Sequence, residues 1–419
     1  MKDLYNIFLE HLSVSTDSRN VTPGDIFFAL KGDNFDGKDK AQKAVEAGAA
    51  YAVIDRPVAK GERFILVPDV LEALQQLASR HREALGLPVV ALTGTNGKTT
   101  TKELIAAVLS TRYKVCATSG NLNNHIGVPL TLLRMDTATE VAVVEMGANH
   151  PGEIAQLAAI AWPDYGLITN VGKAHLEGFG SLEGVMQTKG ALYEVAQTLF
   201  VNADNPLLCG MAKERGGQKE RHFYGLNHQK ASVLPVDSAF PFLRISVPGY
   251  PLIETQLVGA YNADNVLAAL AVGAVFGVDH KAAAVAISGY VPSNNRSQWK
   301  QTGKNTLIID AYNANPTSMA AALDNFEQLQ AENKVVILGD MLELGLDSER
   351  EHRILVERLV SLQKNGVIGQ AFLVGTRLGN TFDTVEKLRN YLLEHPLTGA
   401  TILIKGSRGK RLEQVLDVL

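Results

Sequence analysis

The stretch Leu92-Thr93-Gly94-Thr95-Asn96-Gly97-Lys98-Thr99-Thr100 decides the fold, because of what stands on either side of it. Upstream, Val89-Val90-Ala91-Leu92 is an unbroken apolar run after Pro88, the pattern of a strand buried on both faces. Downstream, Leu104, Ile105, Val108 and Leu109 recur at helical spacing among good helix formers. A glycine-rich turn between a buried strand and an amphipathic helix is the setting of a phosphate-cradling loop. Gly94 and Gly97 let backbone N–H groups converge on phosphate oxygens at the positive end of the helix, and Lys98 adds a fixed charge. Thr99 then offers its hydroxyl to a magnesium ion bound to a nucleotide. The loop reads GxxGKT rather than the commoner GxxxxGK[ST]. The plainer reading is a strand-to-helix turn rich in Gly and Thr.

With 419 residues, 46% hydrophobic and 20% charged, the chain has room for two or three domains with proper cores. A net charge of -4 gives no electrostatic reason to expect nucleic acid or an anionic membrane as partner. Any anionic ligand must be held by local constellations. Cys116 and Cys209 are far apart and match no zinc or redox spacing, so both read as reduced thiols of a cytoplasmic protein. The start Met1-Lys2-Asp3-Leu4-Tyr5 does not read as a signal peptide, and no apolar run is long enough to span a bilayer.

The expected fold class is α/β in three domains. Residues 1–82 read as a small N-terminal α/β domain, with strands at Ile26-Phe27-Phe28, Ala52-Val53-Ile54 and Phe64 to Val67, and helices over 41–49 and 70–85. Residues 83–292 open on the phosphate loop and alternate apolar runs with helical stretches, a P-loop NTPase-like parallel sheet covered by helices. Residues 293–419 repeat a strand-helix unit, with strands at Leu307 to Ile309, Val335 to Leu338, Phe372 to Val374 and Ile402 to Ile404, a doubly wound Rossmann-like domain.

Several strand ends carry chemistry. Val141-Ala142-Val143-Val144 delivers Glu145 to the same sheet edge as the phosphate loop, where a carboxylate suits nucleotide-bound magnesium. Leu167 to Val171 runs into Gly172-Lys173-Ala174-His175; His175 alone reads as a hydrogen-bonded loop histidine, since magnesium prefers oxygen. The amide-rich loop Asn121-Leu122-Asn123-Asn124 either forms turns or presents donors to an anion. Lys189, in a helix expected to begin at Gln187, reads from the residues alone as a surface lysine. Arg19 reads as solvated surface, and Asn262 as a cap on an alanine-rich helix from Val266 to Val275. The C-terminal strand ends carry Asp310, Asp340, Gly375 and Lys405-Gly406-Ser407-Arg408, which one crevice can gather.

These motifs resemble those of the Mur ligases, the cytoplasmic enzymes that build the peptide stem of bacterial cell wall. The loop from Gly94 to Thr100 is similar to their ATP loop. Asn121-Leu122-Asn123-Asn124 with Ile126-Gly127-Val128-Pro129, Asp310-Ala311-Tyr312-Asn313-Ala314-Asn315-Pro316, Leu338-Gly339-Asp340-Met341-Leu342-Glu343-Leu344-Gly345 and Lys405 to Arg408 are similar to the branch that adds the terminal dipeptide. The resemblance spans all three segments. It implies an ATP-dependent amide ligase that works through an acyl phosphate in peptidoglycan synthesis. Its partners would be UDP-N-acetylmuramoyl-tripeptide and D-alanyl-D-alanine, and its cofactors ATP and two magnesium ions, in a monomer without nucleic-acid or membrane partners.

The resemblance also implies roles. Gly94, Thr95, Asn96, Gly97, Lys98, Thr99, Thr100, Asn262, Arg296 and Asp310 would bind ATP, with Asn262 near adenine, Asp310 on the ribose and Arg296 on the phosphates. Thr99 and Glu145 would hold the first magnesium, and His175 with Lys189, carried as a carbamate, the second. Lys98, Glu145, His175, Lys189 and Arg296 would form the catalytic set. Ser18, Arg19, Phe28, Ala29, Leu30, Asp36 and Gly37, with Asn123 and Asn124, would receive the uridine-linked substrate. Asn313, Asn315, Lys405, Ser407 and Arg408 would line the dipeptide crevice. The rivals are another Mur-type ligase or a folylpolyglutamate synthase, disfavoured by the Asn123-Asn124 loop and the segment Asp310 to Pro316, and a P-loop ATPase that is not a ligase, which leaves the two outer segments without purpose. An oxidoreductase fails because no GxGxxG follows the strand at Leu307.

Overall fold

The computed structural model describes all residues except 1–2, 33–34, 37, 58–60, 237–239, 294 and 380–381. Its centre is a six-stranded sheet in the order Glu220–Tyr224, Thr198–Asn202, Tyr165–Ile168, Val89–Thr93, Val141–Glu145, Val115–Ala117. Every neighbouring pair is parallel. The strand Val89–Thr93 is buried along its whole length, as its unbroken apolar run requires of a strand covered on both faces. On one face Val90 and Leu92 pack with Leu104, Ile105, Val108 and Leu109 of the helix Lys98–Leu109 and with Val266, Leu267 and Leu270 of the helix Ala263–Val275. On the other, Val89 and Ala91 meet the helices Val70–Leu85, Gly127–Leu132 and Glu153–Ala161.

Register places the chemistry. Leu92 pairs with Glu145 and Thr93 with Ile168, so the loops leaving three adjacent strands emerge side by side at one carboxyl edge. Glu145 stands on one flank of the phosphate loop and Thr169-Asn170 on the other.

The N-terminal segment forms a four-stranded parallel sheet in the order Val14–Ser15, Ile26–Phe28, Tyr51–Ile54, Phe64–Leu66. Its apolar face, including Ile7, Phe8, Ile26 and Phe28, is continuous with the central core through Leu74, Leu77 and Ala78 of the helix Val70–Leu85. That helix is capped by Asp69, which accepts the amide of Glu72, and stopped by Gly86 in the left-handed region. The expected boundary at 82 therefore falls within a helix that both units share. The helix expected over 41–49 is found at Lys38–Glu46.

The C-terminal segment is a five-stranded sheet ordered Gln298–Gln301, Thr306–Asp310, Thr401–Lys405, Lys334–Gly339, Gln370–Val374. Four of its strands are the expected parallel ones; the first is antiparallel and additional to them, because Gln-Trp-Lys-Gln at a half-exposed edge has no apolar run to announce it. Two helix starts also differ. The helix holding Lys189 begins at Leu182 rather than Gln187, because the Ser181 hydroxyl accepts the amide of Gly184 and caps it. The alanine-rich helix begins at Ala263, with Asn262 at its cap position but making no side-chain cap bond.

Candidate active site

The loop Gly94–Gly97 needs its glycines at stated places. Gly94 has φ +151° and a Cβ there would lie 1.9 Å from the Thr169 hydroxyl; Gly97 has φ +78° and a Cβ would lie 2.6 Å from Asn265 Oδ1. The helix begins at Lys98 with no side-chain cap, which leaves its first amides free for an anion. Asn265 in turn accepts from the Thr101 hydroxyl at 2.9 Å and donates to Asn262 Oδ1 at 2.8 Å, and Asn262 donates to the Val258 carbonyl at 2.9 Å. Asn262 thus serves as a buried brace behind the loop rather than as a cap.

Lys98 donates to the carbonyls of Gly94 at 2.8 Å and Thr95 at 3.2 Å. Desolvation pulls its ammonium down to about 8, against the Glu145 charge that raises it and with the Arg296 charge that lowers it further. All three charges therefore share one space. The Arg296 guanidinium lies 3.6 Å from the centroid of the Tyr312 ring, and its Nε is buried without a hydrogen-bond partner.

The donor set suits a divalent cation. Glu145 is 1% exposed; Asn123 Nδ2 donates to its Oε1 at 2.7 Å, while its Oε2 is buried with no partner. The Thr99 hydroxyl is likewise buried and without a partner. Two orphaned oxygens beside a phosphate loop fit a nucleotide-borne magnesium, which takes its other ligands from phosphate and water. Among the described residues no group of three or more His, Cys, Asp and Glu side chains is arranged to hold a metal, so nothing here is an all-protein cage.

Lys189 corrects the surface reading: it is 2% exposed, with its ammonium 5.8 Å from the Phe179 ring centroid. Burial first, and then the neighbouring Lys98 charge, hold its ammonium well below the usual lysine range. His175 stands in the left-handed region at φ 52°, and its Nδ1 is 2.5 Å from Glu343 Oε2 of the C-terminal segment. The two make an ion-pair contact whose angles do not form a hydrogen bond, so this buried ring nitrogen is also without a hydrogen-bond partner.

A cavity of about 720 Å³ gathers most of these residues, although neither Thr99 nor Lys189 lines it. Its walls include Thr95 to Lys98, Thr100, Asn123, Asn124, Glu145, His175, Asn262 and Arg296, together with Asp310, Asn313, Asn315, Lys405, Ser407 and Arg408 from the C-terminal strand ends. Asp310 and Lys405 are cross-strand neighbours and form an ion pair, and Lys405 also donates to the Asn313 carbonyl at 3.3 Å. Ser407 ties loops together, accepting from the Leu342 amide at 2.9 Å and donating to the Ala314 carbonyl at 3.4 Å. Arg408 is exposed at the rim, 5.4 Å from the Tyr312 ring.

The amide loop divides between both readings. Asn124 is a turn former, its Oδ1 accepting the amides of Ile126 and Gly127, whereas Asn123 presents its donor to Glu145. Among the described residues, none of the N-terminal candidates lines the cavity. Phe28, Ala29 and Leu30 spend their side chains on the core, Arg19 is 86% exposed and paired with Asp17 at 2.7 Å, and Ser18 is half-buried beside it. Arg19 is thus solvated surface, as its residue type suggests. Asp36 lies in the short strand Phe35–Asp36, and Gly37 lies outside the described residues. Asn170, Asn265, Tyr312 and Glu343 were not singled out from sequence; Tyr312 and Glu343 sit inside quoted motifs, which was the available signal.

A phosphate loop, an orphaned carboxylate oxygen with an orphaned hydroxyl beside it, and a second crevice facing them define an ATP-dependent enzyme of the three-domain α/β ligase class. Family models agree on every segment. The Mur ligase family catalytic domain matches residues 12–82, the Mur ligase middle domain 92–273 and the Mur ligase glutamate ligase domain 295–408. The chain is 37% identical to the UDP-N-acetylmuramoyl-tripeptide--D-alanyl-D-alanine ligase of Bacillus subtilis, over 97% of this chain and 92% of that one. Its structure is similar to MurF from Acinetobacter baumannii, with a TM-score of 0.85 and 31% identity over 97% and 92% of the two chains. It is also similar to the MurF ligase of Thermotoga maritima in complex with ADP, with a TM-score of 0.82 and 28% identity over 100% and 98%. The chain belongs to the Mur ligase family and is an ATP-dependent ligase.

Proposed function

We propose that the protein joins the amine of D-alanyl-D-alanine to the free peptide carboxylate of UDP-N-acetylmuramoyl-tripeptide, cleaving ATP to ADP and phosphate. The observation that carries this reading is the single cavity in which the phosphate loop faces the C-terminal strand ends. A carboxylate does not react with an amine directly. Its oxygen therefore attacks the γ-phosphorus, the bond to ADP breaks, and an acyl phosphate forms. The amine nitrogen then attacks the carbonyl carbon, phosphate leaves, and the nitrogen gives up a proton. Both partners of the first step are anions, and Lys98 and Arg296 offset their repulsion.

Thr99 and Glu145 would hold a magnesium ion, which when bound neutralises phosphate charge. His175 and Lys189 would serve a second ion, Lys189 as a carbamate. Its burial beside Lys98 supports that: a neutral amine is the form that captures carbon dioxide, and the resulting anion would face a cation. The roles assigned above to the adenine, ribose and dipeptide contacts belong to the same proposal, as do three domains at 1–82, 83–292 and 293–419 and action as a monomer in the cytoplasm. In the N-terminal segment, Phe28 to Leu30 can offer the uridine nucleotide only backbone groups, leaving Ser18, Arg19, Asp36 and Gly37 as the other contacts.

Purified protein with ATP and magnesium should release phosphate only when tripeptide and dipeptide are both present. Equal release with either one omitted overturns the reading.

A further inference from the structure

Asn96, at the third position of the phosphate loop, has its backbone fully committed. Its amide donates to Asn170 Oδ1 at 2.9 Å, and its carbonyl accepts from the Thr169 hydroxyl at 2.7 Å and from Asn170 Nδ2 at 3.0 Å. The side chain is left to reach away from the loop. It meets Asn315 of the C-terminal segment in a reciprocal amide pair: Asn315 Nδ2 donates to Asn96 Oδ1 at 2.7 Å, and Asn96 Nδ2 donates back to Asn315 Oδ1 at 3.4 Å.

Asn315 is itself fixed. It is 7% exposed and caps the helix Pro316–Gln328 in a capping box, its Oδ1 accepting the Ser318 amide at 2.9 Å and its own amide donating to the Ser318 hydroxyl at 3.1 Å. Two anchored amides that bond in both directions fix distance and orientation together, which a single flexible ion pair does not. Other contacts between the same two segments accompany the pair. Lys173 meets the buried Glu351 at 2.8 Å, and the Glu177 amide donates to the Glu343 carbonyl at 3.2 Å, both from the segment that follows Asn170.

We propose that Asn96 and Asn315 are positioning residues which hold the C-terminal crevice in register with the phosphate loop, so that the incoming amine is aligned with the activated carbonyl. This rests on the ligase reading above. The helix that Asn315 caps follows the strand Thr306–Asp310 and the crevice residue Asn313, so a shift at the cap moves those groups relative to the γ-phosphate. Displacement of reacting groups by 1 Å lowers rates by up to about 100-fold.

The experiment is a double-mutant cycle of Asn96→Ala and Asn315→Ser in the full chain. Serine keeps a capping oxygen, so the helix start survives while the amide pair is lost. Each variant should lower kcat about tenfold, with KM for ATP within about twofold in Asn315→Ser, and the double variant should be no slower than the slower single one. Losses that multiply, or kcat unchanged in either variant, overturn the proposal. A second readout does not depend on activity. In Asn96→Ala, amide hydrogen exchange should quicken at Asn315 to Met319, although the two asparagines are 219 positions apart in sequence; unchanged exchange there also overturns it. If the unaltered protein fails to ligate, the ligase reading falls, and the exchange result still decides whether the pair couples the two segments.

Discussion

Lys98 shows how residue type and surroundings divide the work. Its identity as a phosphate-loop lysine is legible in GxxGKT, but the company of Glu145 and Arg296 that sets its charge comes from strands and loops about 50 and 200 positions away. Replacing Lys98 by alanine should lower turnover by about 10²–10³ with the fold intact, since it removes positive charge aimed at developing negative charge. A steady-state assay beside a circular dichroism melt separates the two. Lys189 is the contrary case. A lysine among helix formers says surface, and only the packing of Phe179 and the neighbouring strand ends makes it buried, so sequence pattern alone could not find it. Lys189→Ala should abolish turnover and recover part of it when a short carboxylate is added, whereas unimpaired activity of that variant removes the carbamate.

At the scale of elements, the strand, loop and helix around Gly94 were legible because three signals agree there: a buried apolar run, turn glycines and helical periodicity. The edge strand Gln298–Gln301 carried none of them. Glycines give a direct test of how tightly the loop is built. Gly94→Ala puts a Cβ 1.9 Å from the Thr169 hydroxyl at φ +151°, so strain and overpacking should destabilise by about 1–3 kcal/mol and weaken ATP binding. Gly210, inside the helix Pro206–Arg215, has nothing within 4 Å of its Cβ position. Gly210→Ala should therefore stabilise by about 0.5–1 kcal/mol, from helix propensity alone. Chemical denaturation of the two variants checks both signs, and a destabilised Gly210→Ala would contradict the packing described for that helix.

The whole molecule is less symmetrical than three beads on a string. The C-terminal sheet has its own apolar layers on both faces, built almost wholly from residues beyond 297, with Val258 and Phe242 as the contributors from earlier in the chain. The N-terminal sheet is different, because Val70, Leu74, Leu77 and Ala78 of the shared helix belong to the same cluster as Val128, Leu132, Ile154 and Leu157 of the central unit. Each of the valine, leucine and isoleucine side chains contributes about 1.5–3 kcal/mol by burial, and Arg82 adds bonds to the Ala161 and Trp162 carbonyls and an ion pair with Asp164 at 2.9 Å. Sequence periodicity announced that helix but could not say that it serves two cores at once, since its partners lie 50 to 90 positions downstream. Truncation tests the asymmetry. A fragment ending at residue 292 loses a self-contained unit and should melt cooperatively as a monomer, although without Arg296 and the C-terminal crevice it should not turn over ATP. A fragment beginning at residue 86 loses the helix that covers one face of the central sheet, and should aggregate or bind a hydrophobic dye rather than melt cooperatively. Size-exclusion chromatography with thermal denaturation distinguishes them, and cooperative, monomeric melting of the second fragment would show that the central sheet does not need the shared helix.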